Sequence, residues 1–182
     1  MAEIEPYEIY AIKYADHQRL ASENFIGGDP HDGPMPLDYF VWAVKGAART
    51  WIVDTGFDAA IGHERQRNVI RSPAEGLKAL DIEPDEIEDV IITHMHYDHC
   101  GNHDLFARAR FHVQDKEMFY ATGRSMCHPV LRHAFGVEDV VTMVRRAYAG
   151  RVAFHDGDEE LAPGISVHFV GGYTMGLQMV RV

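Results

Sequence analysis

Four of the 12 histidines in this chain of 182 residues crowd into one short segment, as His94, His96, His99 and His103. Three of these imidazoles, together with the carboxylate of Asp98, lie within six consecutive residues. Alternate side chains of an extended segment share a side, so His94 and His96 can reach one ion, and a turn lets Asp98 and His99 face a neighbouring ion. Imidazole and carboxylate are ligands for zinc, and also for manganese, iron or cobalt. The spacing predicts a metal-binding loop.

The alternative interpretation is that these are ordinary core or surface histidines with ordinary hydrogen bonds. A lone histidine would favour that interpretation. A desolvated cluster of four such groups without a cation, however, would leave polar and charged groups poorly compensated. The clustering therefore favours metal binding.

The elements that must position the loop are visible on both sides of it. Residues 90–92 are a wholly apolar, β-branched run, which is typical of a strand buried on both faces, and the histidine cluster begins where that run ends. Residues 39–44 and 50–53 flank a small-residue turn and predict an antiparallel hairpin, and residues 7–14 suit a strand. A loop leaving a buried strand can bring its ligands to one point.

Helical signals occur at two places. Ser72, Pro73 and Glu75 form a capping sequence that predicts a helix running to about residue 80. Apolar residues at helical spacing predict an amphipathic helix over residues 136–149; they are Val137, Val140, Val141, Val144 and Tyr148. Further strands are predicted over residues 110–113, 152–155, 165–170 and 177–182, with Glu159 and Glu160 as a solvated acidic turn.

Length and composition limit the remaining possibilities. A chain of 182 residues with 46% hydrophobic and 25% charged residues fits one globular domain over residues 1–182 and is too short for a full TIM barrel. The net charge of −11 disfavours nucleic acid and anionic membrane surfaces as partners. Two cysteines, no signal peptide and no apolar run of membrane-spanning length predict a cytoplasmic protein.

The motifs resemble those of the metallo-β-lactamase-fold hydrolases over about residues 38–182. Residues 94–99 have the H-x-H-x-D-H form, and residues 54–56 look like the family's Asp-x-Gly turn. Residues 156–165 resemble the segment that leads to the next ligand strand. Residues 171–176 read Gly-Gly-Tyr-Thr-Met-Gly where the family reads Gly-Gly-His-Thr-x-Gly. The resemblance implies an α/β, four-layer αββα sandwich. The opening segment and the histidine motif look most like the N-acyl-homoserine lactonase branch.

The resemblance also implies a division of labour among the ligands. His94 and His96 would serve the first of two zinc ions, and Asp98 and His99 the second. A metal-bound hydroxide would then attack the carbonyl of a small lactone or ester, with Asp98 as the catalytic carboxylate that holds the hydroxide or carries a proton. Asp54 would orient a ligating histidine from behind.

Two departures from the family pattern set the expected activity. The third histidine of the first metal falls on Tyr173, whose phenol binds zinc poorly unless it is deprotonated. The bridging aspartate and last histidine of the family have no counterpart up to residue 182, so the fold is expected to be incomplete in its C-terminal half. Weak metal affinity, impaired catalysis and an exposed apolar sheet edge that allows a homodimer are expected.

Two rival functions remain open. One is a thioester hydrolase of the glyoxalase II type, and the other is a catalytically inactive remnant that acts through protein association. Among other residues, we expect Cys100 to be a packed thiol and His103 to have a capping or surface role. His168 is the residue that would replace the missing imidazole at Tyr173.

Overall fold

Two β-sheets with helices around them make up the computed structural model, which describes residues 6–182. This confirms the predicted α/β class. The strands are β1 (Glu8–His17), β2 (Leu37–Lys45), β3 (Thr50–Val53), β4 (Asn68–Val69), β5 (Asp89–Ile91), β6 (Arg110–Gln114), β7 (Val152–His155), β8 (Glu159–Ala162), β9 (Ile165–Phe169) and β10 (Gln178–Arg181). The helices are α1 (Ala21–Asn24), α2 (Ala59–Glu64), α3 (Pro73–Lys78), α4 (Tyr97–Cys100), α5 (Asp115–Thr122), α6 (Pro129–Arg132) and α7 (Val137–Tyr148), with short 3₁₀ helices at Pro84–Glu86, His103–Leu105 and Arg124–Cys127.

The larger sheet is mixed and has the strand order β4-β1-β2-β3-β5-β6-β7. Strands β1 to β4 pair antiparallel, whereas β3, β5, β6 and β7 run parallel. All three residues of β5 are buried, because both faces of this central strand are covered. The smaller sheet is antiparallel with the order β10-β9-β8. The loop that carries His94, His96, Asp98 and His99, called the histidine loop below, therefore leaves the larger sheet at the carboxyl end of its most deeply buried strand, β5.

Local signals in the sequence correctly located several elements. The predicted hairpin is β2 and β3, and the predicted buried strand is β5. Helix α3 begins with the predicted capping box, in which Ser72 Oγ accepts from Glu75 N at 3.1 Å and Glu75 Oε2 accepts from Ser72 N at 2.8 Å. The box satisfies two backbone donors, and the helix then buries Leu77 in the core.

Two expectations were wrong in detail. Glu159 and Glu160 were expected in a turn, but they form strand β8, where they pair with Val167 and Ser166 of β9. Acidic residues are accepted there because the strand lies at a sheet edge and keeps them exposed. In α7, Val137 and Tyr148 were expected on the buried face, but both are exposed. The buried residues of α7 are Val140, Met143 and Arg146.

The smaller sheet covers only part of one face of the larger sheet. Its residues Ile165 and Val167 pack against Trp51, Val53 and neighbouring apolar residues of the larger sheet. Farther along that face, Ile9, Phe40 and Trp42 are between 37% and 54% exposed. Register pairs Ile9 with Val44 and Trp42 with Ala11, so these side chains share one face. An apolar sheet surface open to solvent was expected, and the structure contains one.

A hydrogen-bonded row, which is buried except at its last member Glu159, connects the two sheets. His112 Nε2 lies 2.9 Å from Asp89 Oδ1, and His112 Nδ1 lies 3.0 Å from His155 Nε2. His155 Nδ1 in turn lies 2.6 Å from Glu159 Oε2 of β8. His112 also supports the start of the histidine loop, because its carbonyl oxygen accepts from Ile92 N at 3.0 Å.

Replacing the central member of this row should weaken the fold. We expect His112→Ala to lower the free energy of unfolding by about 2–4 kcal/mol, because the buried groups on both sides lose a partner. Urea denaturation measures this value. His168→Ala is the matched control, because it removes a histidine paired with the exposed Asp158, and should cost less than about 1 kcal/mol. Equal losses in the two variants would contradict the proposed role of the row.

No helix within residues 6–182 is both long and apolar enough to cross a bilayer. Both cysteines are free thiols, with Cys100 buried and Cys127 exposed. The expected packing of Cys100 is confirmed, and burial raises the pKa of its thiol well above the ordinary value.

Candidate active site

The histidine loop starts at the end of β5 and finishes in the single turn of α4. His96 precedes α4 directly, and its carbonyl oxygen accepts from His99 N at 2.9 Å and from Cys100 N at 3.1 Å. The extended part presents His94 and His96, and the helical turn then brings Asp98 and His99 back beside them. A strand end followed by one helical turn thus accounts for the H-x-H-x-D-H spacing.

The imidazole rings of the loop converge as the spacing predicts. The ring centroids of His94 and His96 are 4.5 Å apart, and those of His94 and His99 are 4.0 Å apart. Asp98 Oδ2 lies 3.4 Å from His99 Nε2. His94 and His96 are buried, at 3% and 7% exposure. The structure therefore brings all four predicted ligands into one cluster.

One ring nitrogen of this cluster is buried without a hydrogen-bond partner among residues 6–182. His94 Nε2 is buried and makes no hydrogen bond to any residue of the described range 6–182. An unpaired buried polar atom costs about 1–3 kcal/mol, whereas a cation would satisfy its lone pair. Within the same range, no three His, Cys, Asp or Glu side chains are arranged so that they could hold a metal ion together. The donor types and the unpaired atom fit a divalent ion.

Asp54 lies directly behind the cluster. Its Oδ2 is 2.6 Å from His99 Nδ1, and its Oδ1 accepts from Thr93 N at 2.7 Å. The backbone of Asp54 has a φ of 62°, and the following Thr55 N donates to His99 O at 2.7 Å. This left-handed turn directs the carboxylate toward the loop. The contact is the one expected of an orienting residue, and that role stays a prediction.

Glycines allow the Asp54 turn to lie against α4. Gly101 N donates to Gly56 O at 2.8 Å, and Gly56 has a φ of 70°. A Cβ at Gly101 would lie 2.7 Å from Gly56 O, which is too close for any side chain. The Asp-x-Gly turn and the end of the histidine loop are therefore in direct backbone contact.

The charges in the cluster differ from one histidine to the next. Burial and the neighbouring His99 lower the pKa of His94 to about 2, and burial lowers the pKa of His96 to about 4. Burial also acts on His99, but Asp54 and Asp98 outweigh it and raise its pKa to about 10. At neutral pH, His94 and His96 therefore keep free lone pairs, while His99 is an imidazolium between two carboxylates.

These shifts predict acid sensitivity of the metal-free protein. The folded-state pKa of His94 and His96 lies below the unfolded value, so the free energy of unfolding falls as the pH drops from about 6.5 toward 4, where these imidazoles are protonated mainly in the unfolded chain. We expect the free energy of unfolding of the wild type to fall in that window more steeply than that of His94→Leu. Urea denaturation at several pH values measures both curves. Parallel curves would contradict the assignment.

The ring of Tyr173 lies next to the rings of His94 and His96. Its ring centroid lies 5.4 Å from that of His94 and 5.0 Å from that of His96, and the side chain is 70% exposed. Burial of its inner part, followed by the charge of Asp98, raises the pKa of its phenol. The residue thus faces the cluster as a neutral phenol, which is a poor metal ligand.

Two histidines outside the cluster, His103 and His168, have surroundings that differ from those considered for them. His103 was expected to cap a helix or lie on the surface, but it is buried with its ring against Phe111 at a centroid distance of 5.3 Å. The turn at residues 103–105 points this ring inward, where apolar neighbours accept it. His168 was considered as a replacement imidazole. Its ring nitrogens instead lie 3.0 Å from Asp158 Oδ2 and 2.9 Å from Ser166 Oγ.

Sequence reasoning missed Glu117, which lies on α5. This carboxylate is completely buried and accepts from Met95 N at 2.7 Å and from Gly176 N at 2.9 Å. An acidic residue in a short helix gives no periodic signal of burial, so the sequence offered no reason to select it. Tyr14 of β1 was also missed; its hydroxyl donates to Asp98 O at 3.1 Å.

Comparison with known proteins shows which family the sequence matches. The family model described as the metallo-beta-lactamase superfamily matches residues 35–182. N-acyl homoserine lactonase AiiB from Rhizobium rhizogenes is 29% identical over 110 residues, which are 57% of this chain and 38% of AiiB. The chain thus aligns with well under half the length of that curated relative.

Solved structures share the fold. A quorum-quenching N-acyl homoserine lactone lactonase superposes with a TM-score of 0.70 at 18% identity, covering 97% of this chain and 68% of the other. AidC, described as a dizinc quorum-quenching lactonase in complex with a product, superposes with a TM-score of 0.68 at 16% identity, covering 98% and 68%. At these identities, the likeness establishes the αββα-type fold and leaves the reaction to be argued from the site.

Proposed function

The chain belongs to the metallo-beta-lactamase superfamily, and from that premise we propose that it is a metal-dependent hydrolase of lactones of the N-acyl-homoserine lactone type. The observation that carries this proposal is the convergence of three imidazoles beside Asp98, with His94 Nε2 buried and unpaired among the described residues. The lactonase relatives support the choice of substrate class.

In this proposal, His94 and His96 hold the first zinc ion, and Asp98 and His99 hold the second, for which His99 has to give up the proton that it carries in the metal-free protein. Manganese, iron or cobalt would suit the same donors. The dizinc description of AidC supports the expectation of two ions. When bound, the ions would supply the Lewis acidity that polarises a carbonyl and acidifies water. Asp54 would orient the His99 ring through the contact between His99 Nδ1 and Asp54 Oδ2.

The remaining roles in the proposed reaction belong to side chains of this chain. Asp98 is the carboxylate that would hold the attacking water and receive its proton, because it stays ionised: burial raises its pKa, but the hydrogen bond and charge of His99 outweigh burial and lower it. Tyr14 donates to the Asp98 carbonyl and fixes that residue's backbone. His94 and His96 are neutral at pH 7 and so need lose no proton before they coordinate an ion.

A second candidate function is a protein with weak metal affinity and little or no catalysis. It is favoured by Tyr173, which places a neutral phenol where an imidazole would complete the first site. It is also favoured by the lack of a closed three-donor group within residues 6–182. The two candidates differ in metal content and in turnover.

Metal analysis of the purified protein, with and without added zinc or manganese, tests the proposal. We expect bound metal, together with hydrolysis of homoserine lactones of several acyl lengths and no hydrolysis of a glutathione thioester. Preferential thioester cleavage would replace the lactonase proposal with a glyoxalase II-type activity. Bound metal without turnover, or no bound metal at all, would favour the second candidate.

A further inference from the structure

Glu117 has an unusual environment for a carboxylate. Its side chain is completely buried, and each of its oxygens accepts a hydrogen bond from a backbone amide. Placing a carboxylate in the interior costs several kcal/mol unless directed donors compensate it. Because the Glu117 carboxylate accepts from two backbone amides, it connects the two chain segments to which those amides belong.

The two amides belong to the two walls of the candidate site. Met95, which donates to Oε1 at 2.7 Å, stands between His94 and His96. Gly176, which donates to Oε2 at 2.9 Å, follows Tyr173 by three residues. One side chain therefore fixes the backbone of the histidine loop and that of the 171–176 loop at the same time.

The packing around this carboxylate is close. A Cβ on Gly176 would overlap the backbone of Glu117, so the 171–176 loop lies directly on α5. Gln178 adds a second attachment, since its N donates to Thr93 O at 2.9 Å and its Nε2 donates to Ile92 O at 2.8 Å. Position 173 is thereby held near the His94 and His96 rings.

We propose that Glu117 is a positioning residue of the candidate metal centre: it sets the distance between the histidine pair and position 173 by accepting from the amides of Met95 and Gly176. This inference rests on the proposed function. Glu117 would act through the backbone of the two loops, whose amides it binds, and not as a metal ligand. Replacing Glu117 should therefore lower the metal affinity by more than the loss of folding stability alone would explain.

Glu117→Gln tests the proposal, because it preserves size but has only one oxygen acceptor for two amides. Co²⁺ binding is followed by visible absorption, and stability by urea denaturation. We expect Co²⁺ affinity to fall by about 10- to 100-fold, as for other groups that orient ligands. The matched control is Met143→Ala, which removes a fully buried core side chain and should lose stability with little change in Co²⁺ affinity.

A metal-free readout separates this inference from the proposed function. In the metal-free protein, the imidazole ¹H–¹⁵N resonances of His94 and His96 should shift in Glu117→Gln and stay in place in Met143→Ala. If the wild type binds no Co²⁺, the proposed function fails, and these resonances alone decide the role of Glu117. If Glu117→Gln does not fold, Glu117→Asp keeps the charge but withdraws the carboxylate from both amides, and it should show the same shifts.

Two results would overturn the role of Glu117. One is unchanged His94 and His96 resonances in the Glu117 variants. The other is an equal loss of Co²⁺ affinity in Glu117→Gln and Met143→Ala, because general destabilisation would then explain the effect.

Discussion

The His94→Leu variant is expected to lose at least about 100-fold in zinc affinity, since even groups behind a ligand contribute 10- to 100-fold. Its metal-free form should at the same time be more stable than the wild type. The imidazole is 3% exposed and its Nε2 is unpaired among the described residues, so replacement by an apolar side chain of similar volume removes a desolvation penalty. We expect a gain of about 1 kcal/mol in the free energy of unfolding.

Isothermal titration with zinc and urea denaturation of the metal-free protein measure the two effects. His103→Leu is the matched control, because His103 is also buried and neither of its ring nitrogens has a partner within residues 6–182. It should gain stability in the same way while zinc affinity stays unchanged. A His94→Leu variant that binds zinc like the wild type would remove the basis of the proposed function.

The Tyr173→His variant is expected to gain zinc affinity by on the order of 100-fold, or about 3 kcal/mol. The ring at this position lies within 5.4 Å of the His94 and His96 rings, and the phenol pKa is raised, so the wild-type residue offers no deprotonated donor at neutral pH. An imidazole there would supply a third neutral nitrogen, which completes the donor set of a typical three-ligand zinc site.

Zinc titration of Tyr173→His beside Tyr173→Phe separates ligation from packing. The phenylalanine variant keeps the ring without a donor and should bind zinc like the wild type. If the histidine variant shows no gain, the correspondence between position 173 and the family's third histidine is wrong. If Tyr173→Phe loses affinity, the phenol itself takes part in binding, and the second candidate function loses its main support.

The fold could be predicted wherever the signal is local. The capping box of α3, the apolar run of β5 and the hairpin of β2 and β3 are each specified by neighbouring residues, because caps, strand periodicity and turns depend on contacts a few positions apart. Strand β8 was missed for the complementary reason. Its acidic residues read as a turn, and only pairing with β9 makes them a strand.

The sequence by itself determined the cluster of predicted ligands, since His94, His96, Asp98 and His99 lie within one strand end and one helical turn, and their proximity follows from that short stretch of backbone. Only the tertiary structure decided what surrounds the cluster. Asp54 is 45 positions from His99, and Glu117 is 59 positions from Gly176. Such contacts depend on how strands and loops pack, and a buried carboxylate has no local pattern that announces its partners.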